Sequence, residues 1–142
     1  MLAGHSNYRI IRSVSEDFFR SIGEAVMREI LVDLKASGER MDVLFAHNDD
    51  MAIGAIAAME EMGIAPGRDV VIVSVDAIRD AFKAMIDGKL NCTVECSPLL
   101  GKQLMKAVKD YMAGKDLPIR MVTAEEVFPA EVARKALPTR KY

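Results

Sequence analysis

Histidine and cysteine are scarce here, two of each in 142 residues. Neither His5 nor His47 stands at a metal-ligand spacing from a cysteine or from the other histidine, so no metal site is expected. Cys92 and Cys96, both in NCTVEC, fall on one face of a strand about 13 Å apart at ~3.3 Å per residue, too far for a disulfide. Both are expected as small buried hydrophobes. An excess of one charge is lacking too. The 19 Lys and Arg are scattered among 21 Asp and Glu for a net charge of −2, which excludes the clustered basic face of a nucleic-acid binder. No apolar run approaches the ~20 residues of a membrane span. The opening MLAGHSNYRI has neither the basic start nor the apolar core of a secretory leader, so nothing in it directs export. Also missing are GxGxxG, a Walker loop, a G-x-S-x-G elbow and a Cys–His pair. No cofactor is expected and no enzymatic reaction.

What is present is a folded, punctuated chain. Apolar residues make up 51% and charged residues 28%, the composition of one globular domain. YRIIRSV, residues 8–14, reads as a strand. SEDFFRSIGEAVMREILVDLKASG then reads as a helix, with Phe19, Ile22, Val26, Ile30 and Leu34 on one stripe and Gly38 at its end. DVLFA is a short strand, and Met51 to Met62 form a helix apolar almost all round. VVIVSV, residues 70–75, has no alternation and predicts a strand covered on both faces, as in a central parallel sheet. DAIRDAFKAMIDGK reads as a helix and LNCTVEC as a further strand. After Pro98, Leu100, Leu104, Val108 and Met112 make an amphipathic stripe. FPAEVARKALPTRKY gives a short helix and a loose basic tail. This order of strands and helices is that of right-handed βαβ crossovers, so the fold class is α/β with a parallel sheet.

Ligands of open parallel sheets bind beyond the carboxyl ends of the strands, where helix N-termini converge. Asn48 follows the strand DVLFA, Asp76 follows VVIVSV, and Asp17 and Phe18 follow the first strand. One rim thus carries an amide, carboxylates and an aromatic ring. In the run Asn48-Asp49-Asp50, capping is assigned to Asp49 or Asp50, and for Asn48 both cap and ligand contact stand open. Asp76 has a second reading as the cap of the helix from Ile78. Phe18 and Phe19 cannot share a helix face, so one is expected in the core and one outside. Amides and carboxylates bond to adjacent hydroxyls and a ring covers the apolar face of a sugar, a combination suited to a polyhydroxylated ligand.

Taken together, AHNDDMAIGAIAAMEEMGIAPGRDVVIVSVDA, AFKAMIDGKLNCTVECSP and GKQLMKAVKDYMAGK resemble the periplasmic sugar-binding proteins of ABC transporters. The resemblance is to the ribose- and galactofuranose-binding group within the periplasmic-binding-protein-like type I fold. It runs from about Tyr8 to the tail and matches only the C-terminal half of such two-lobed proteins. It implies a three-layer parallel-sheet lobe, incomplete at 1–97, and a hinge or crossover segment with tail at 98–142 that belongs mostly to the other lobe. The chain is accordingly read as a fragment or truncated product.

Carried across, the resemblance implies that Asn48 and Asp76 bond to sugar hydroxyls and that Phe18, after Asp17, lies against the ring. Glu95 or Cys96 falls where the family often has a polar ligand-facing residue. Family members commonly have Gly after the strand-end Asp, whereas Ala77 follows Asp76 here. The implied function is capture of a monosaccharide outside the cytoplasm and its delivery to an ABC permease, with no chemistry and no nucleic-acid partner. The rival is the effector-binding part of a lactose-repressor-like transcription regulator. A missing strand would leave an exposed sheet edge, so a homodimer through that edge is a further expectation.

Overall fold

The computed structural model describes His5 and residues 7–142. In chain order the elements are α1 (Arg20–Ser37), β1 (Val43–Phe45), α2 (Asp49–Glu61), β2 (Val71–Asp76), α3 (Arg79–Ile86) and β3 (Cys92–Glu95). There follow α4 (Gly101–Met112), β4 (Val127–Pro129), α5 (Ala130–Ala136) and a 3₁₀ turn, Leu137–Thr139. The four strands form one sheet in the order β1-β2-β3-β4. β1, β2 and β3 are parallel, as expected of βαβ units, with Leu44 opposite Ile72 and Ser74 opposite Thr93. β4 runs antiparallel to β3 and was not expected. It ends in Pro129, which has no N–H to give a ladder and is tolerated because β4 is an edge. Residues 127–142 thereby return to the body formed by the first ninety-odd residues.

Two expectations fail for want of a neighbour. The segment 8–14 is not a strand, because among the described residues no other strand lies beside it to supply ladder bonds. The two-sided cover predicted for VVIVSV is also wrong. Residues alternate across the sheet: Ile72, Ser74, Thr93 and Phe128 point to one face and are buried, while Val43, Phe45, Val71 and Val127 point to the other and are exposed. All the crossover helices lie on the first face, and that is why the second is bare among the described residues.

On the covered face, Ile72 is packed in one cluster with Ile56 and Met59 of α2, Ala81, Phe82 and Met85 of α3, Ala133 of α5 and Phe128 of β4. Phe82 and Phe128 meet edge to face at 5.1 Å between centroids. Full burial of side chains such as Phe82, Met59 and Ile72 stabilises by roughly 1.5–3 kcal/mol each.

α1 docks on α2 rather than on the sheet, and its buried residues are Gly23, Met27, Leu31 and Leu34. The stripe is rotated one residue from the predicted Ile22–Val26–Ile30, which are only half-buried. Close approach at two glycines fixes this rotation. A Cβ on Gly54 would lie 2.0 Å from the carbonyl oxygen of Arg20, and one on Gly23 would lie 2.5 Å from that of Met51. Phe18 and Phe19 precede α1 and are both exposed, so neither enters the core. α4 keeps its stripe in solvent: Leu100, Leu104, Val108 and Met112 are all exposed. No helix among the described residues is long and apolar enough to cross a membrane.

Candidate functional site

The three parallel strands deliver their last residues to one edge. Beyond β1, Asn48 takes an extended backbone and caps α2, its Oδ1 accepting the Met51 N–H at 2.8 Å. Its Nδ2 donates to the Phe18 carbonyl at 3.1 Å, which ties the segment carrying Asp17 and Phe18 to the same edge. The cap belongs to Asn48, correcting its assignment to Asp49 or Asp50. The amide is not exhausted by these bonds: one N–H and one lone pair remain.

The other two members of the run have separate tasks. Asp50 pairs with Arg20 at 2.6 Å, and Arg20 reaches Asp80 at 3.1 Å, in the half-exposed surface between α1, α2 and α3. Asp49 is wholly buried. It accepts the Ser74 hydroxyl, the Thr93 hydroxyl at 2.8 Å and the Ile78 N–H at 2.8 Å, so it spans β2, β3 and the start of α3. Burial pushes its pKa up, against these hydrogen bonds, which favour the carboxylate.

Beyond β2, the chain turns through Asp76 (φ 116°) and Ala77 (φ 63°), the two non-glycine residues with positive φ among those described. Each such residue costs on the order of 1–3 kcal/mol and persists only where its surroundings over-determine it. Here the Ala77 N–H donates to Thr93 Oγ1 at 3.2 Å, the Ile78 N–H to Asp49, and Arg140 Nε to the Ala77 carbonyl at 3.1 Å. The turn therefore keeps the shape that a glycine would take freely, though Ala77 stands there. α3 has no side-chain cap, so Asp76 does not cap that helix. Its half-buried carboxyl has a raised pKa, from burial first and then from the neighbouring carboxylates of Asp49 and Asp50.

Beyond β3, the Cys96 N–H donates to the Asp76 carbonyl at 3.4 Å, and its thiol is free and exposed, unlike the buried hydrophobe expected. Glu95, one residue earlier, points to the covered face. Its carboxylate accepts from Arg140 Nη2 at 2.8 Å and from the Tyr142 hydroxyl at 2.9 Å. Burial acts to raise its pKa, but those hydrogen bonds outweigh it and hold the group below its ordinary value. The structure thus brings Phe18, Asn48, Asp76 and Cys96 to one rim and engages Glu95 beneath it. Asp17 is exposed beside Phe18, and its carboxylate makes no hydrogen bond among the described residues. A shallow hollow at the opposite ends of the strands is lined by Glu60, Ile64, Arg68, Asp87 and Lys89, with Glu60 paired to Lys89 at 2.8 Å and no amide or aromatic side chain in its lining.

Two supporting groups escaped sequence reasoning. Asp49 was signalled by Ser74 and Thr93, polar residues at inward strand positions that need a buried partner. Arg140 had no signal, and the tail is not loose: its guanidinium is buried, 4.8–5.4 Å from the ring centroids of Phe82, Phe128 and Tyr142. Chemically the rim offers a carboxylate acceptor, an amide with donor and acceptor to spare, and the exposed ring of Phe18.

Comparison with known proteins gives this rim its context. A family model described as "Periplasmic binding protein domain" matches residues 1–116. The galactofuranose-binding protein of Escherichia coli (strain K12) is 37% identical over 136 residues, which is 95% of this chain and 42% of that protein. Among solved structures, the periplasmic binding protein component of the arabinose ABC transporter from Shewanella sp. ANA-3, bound to α- and β-L-arabinofuranose, matches with a TM-score of 0.90. It is 38% identical, with 99% of this chain and 46% of that one covered. A Mycobacterium smegmatis protein in complex with β-D-fucofuranose matches with a TM-score of 0.89 at 44% identity, covering 96% of this chain and 44% of that one. The chain spans less than half the length of these relatives. By sequence and by fold, it belongs to the periplasmic binding protein domain family.

Proposed function

We propose that this chain supplies one side of a monosaccharide site in a solute-binding protein for ABC-type sugar uptake, acting outside the cytoplasm and handing its ligand to a permease. The observation that carries the reading is the shared rim: Asp76, Asn48 and Phe18 meet at the strand ends of a lobe whose relatives are named for sugars. In this reading the Asp76 carboxylate accepts from two adjacent hydroxyls, and the remaining N–H of Asn48 donates to a third. Phe18 covers the apolar face of the ring, with Asp17 at its margin and Cys96 flanking Asp76. Glu95 acts from below, through Arg140. Capture without chemistry follows, and a second lobe would close over the ligand and be favoured by its contacts. The relatives named above are binding proteins, and nothing in them favours the transcription-regulator reading.

The bare sheet supports a further reading of this chain on its own. Val71 donates its N–H to Asp42 and Ala46 donates to Val73, so the even-numbered residues of β1 face β2. Val43 and Phe45 then turn their N–H and C=O groups outward with no partner among the described residues. That edge suits strand addition by a second copy.

Calorimetric titration with arabinose, galactose and ribose tests the sugar reading, with Asp76→Asn as control. One side of a site alone should bind with Kd on the order of mM. Saturable binding lost in the variant supports the proposal, and binding unaffected by the variant sinks it.

A further inference from the structure

We infer that Arg140, near the C-terminus, is a positioning residue for the sugar-binding rim: it clamps the Asp76–Ala77 turn from below and so aims the Asp76 carboxylate. The inference rests on the sugar reading for its purpose, but on the geometry of the tail for its substance.

The guanidinium has two anchors on two different strand ends. Nε donates to the carbonyl of Ala77 at 3.1 Å, after β2, and Nη2 pairs with Glu95 Oε1 at 2.8 Å, at the end of β3. Those strands are neighbours, with Asp76 opposite Glu95 in the register. One planar group therefore fixes the distance between the two chains where the rim begins, which a flexible ammonium cannot do as well. The Tyr142 hydroxyl bonds to both Arg140 and Glu95, closing a triangle. The ring centroids of Phe82, Phe128 and Tyr142 lie 5.4, 5.0 and 4.8 Å from the guanidinium carbon, within cation–π range.

The backbone of the tail is held as firmly. The Arg79 N–H donates to the Tyr142 carbonyl at 2.8 Å, and Arg79 Nη1 donates to the Arg140 carbonyl at 2.7 Å. Arg79 opens α3, the helix that leaves the turn. The tail thus braces both sides of a backbone segment that carries two consecutive positive φ values without a glycine. A turn that Ala77 adopts only under constraint needs such a brace, and a glycine in its place would need it less.

This difference supplies the test. Amide exchange is measured on the chain with Arg140→Met, which keeps the long apolar stem, and with Arg140→Lys, which keeps the charge. Each is made alone and with Ala77→Gly. Exchange of the Ala77 and Ile78 amides should rise about ten-fold or more in both single variants, while amides of the core strand at Ile72 and of α2 stay protected. With Ala77→Gly in place the rise should shrink several-fold. A uniform rise over the whole chain, an unchanged turn in Arg140→Lys, or full additivity with Ala77→Gly would each overturn the assignment. Sugar titration of the same set separates the two claims. If the parent chain binds a monosaccharide, Arg140→Met should weaken it and Ala77→Gly recover it. If the parent binds none, the sugar reading fails, and the exchange data alone decide whether Arg140 braces the turn.

Discussion

Asp49, in the first turn of α2, accepts the backbone N–H of Ile78 at 2.8 Å, so the helix leaving β1 holds the turn leaving β2. The same carboxylate takes the hydroxyls of Ser74 and Thr93, and all three neighbours are donors. Asp49→Ala removes the one acceptor that these three donors share. The hydroxyls can rotate away, whereas the Ile78 N–H cannot. A loss of about 2–3 kcal/mol is expected, as for a buried polar group left without its partner. Denaturant titration checks it beside Asp50→Asn, whose half-exposed pair with Arg20 should account for about 0–1 kcal/mol. Equal effects of the two variants would contradict the scaffold role of Asp49.

Asp76 should show opposite effects on stability and on binding. Its pKa is raised by burial and by the carboxylates of Asp49 and Asp50. The folded state therefore takes up a proton more readily than the unfolded one, and the stability this group contributes is fully present below the unfolded value of ~3.9. It is lost as pH rises through the higher folded value. Asp76→Asn, which stays neutral, is expected to raise the midpoint of thermal unfolding at pH 7 and to leave it unchanged near pH 3. Sugar hydroxyls donate to the ionised form, so binding by the parent should weaken as pH falls through the raised value. Calorimetry across pH 4–7 reads both directions, since binding should release protons near the midpoint. A variant that neither gains stability nor loses affinity would remove Asp76 from the site.

The strand ends were legible in the sequence because polar residues interrupt apolar runs only where a strand stops: Asn48 after DVLFA and Asp76 after VVIVSV are both where the rim lies. Division of labour within Asn48-Asp49-Asp50 was not, because one helix start has room for one cap and the other two side chains are placed by residues 25 or more positions away. The rotation of α1 depended on backbone contact at Gly23 and Gly54, which a pattern of apolar residues does not report. The bare face of β2 read as buried because β-branched runs look alike whether one face is covered or two. β4 and the clamp at Arg140 come from long-range pairing of a polar, proline-marked tail, where periodicity carries no information.

Gly54 gives a stringent check of the α1–α2 contact. Alanine is favoured over glycine in a helix interior by about 1 kcal/mol, so propensity alone predicts that Gly54→Ala stabilises. Yet its Cβ would sit 2.0 Å from the Arg20 carbonyl oxygen and 2.7 Å from the Glu24 nitrogen, both backbone atoms with nowhere to move. Overpacking should win, with a net loss of about 2–3 kcal/mol. Gly101→Ala is the control, since nothing lies within 4 Å of a Cβ at the start of α4. Denaturation midpoints should move down in the first and hold or rise in the second.

The outer edge of β1 and the bare face beside it set the behaviour of this chain alone. Val43 and Phe45 are more than half exposed, and their backbone groups point away from β2. An edge of this kind is normally blunted by charge, and neither residue carries one. Light scattering coupled to size exclusion should therefore show a mass that grows with loading concentration, through pairing of β1 edges. Phe45→Lys places a charge on the edge and removes apolar area without touching the covered face, where Ile72 and Phe82 make the core. It should return the chain to a monomer with its unfolding midpoint within about 0.5 kcal/mol of the parent, as for a surface change away from packing. A parent that stays monomeric at every concentration would overturn pairing through this edge. A variant that still associates would move the contact to the exposed stripe of α4, Leu104, Val108 and Met112.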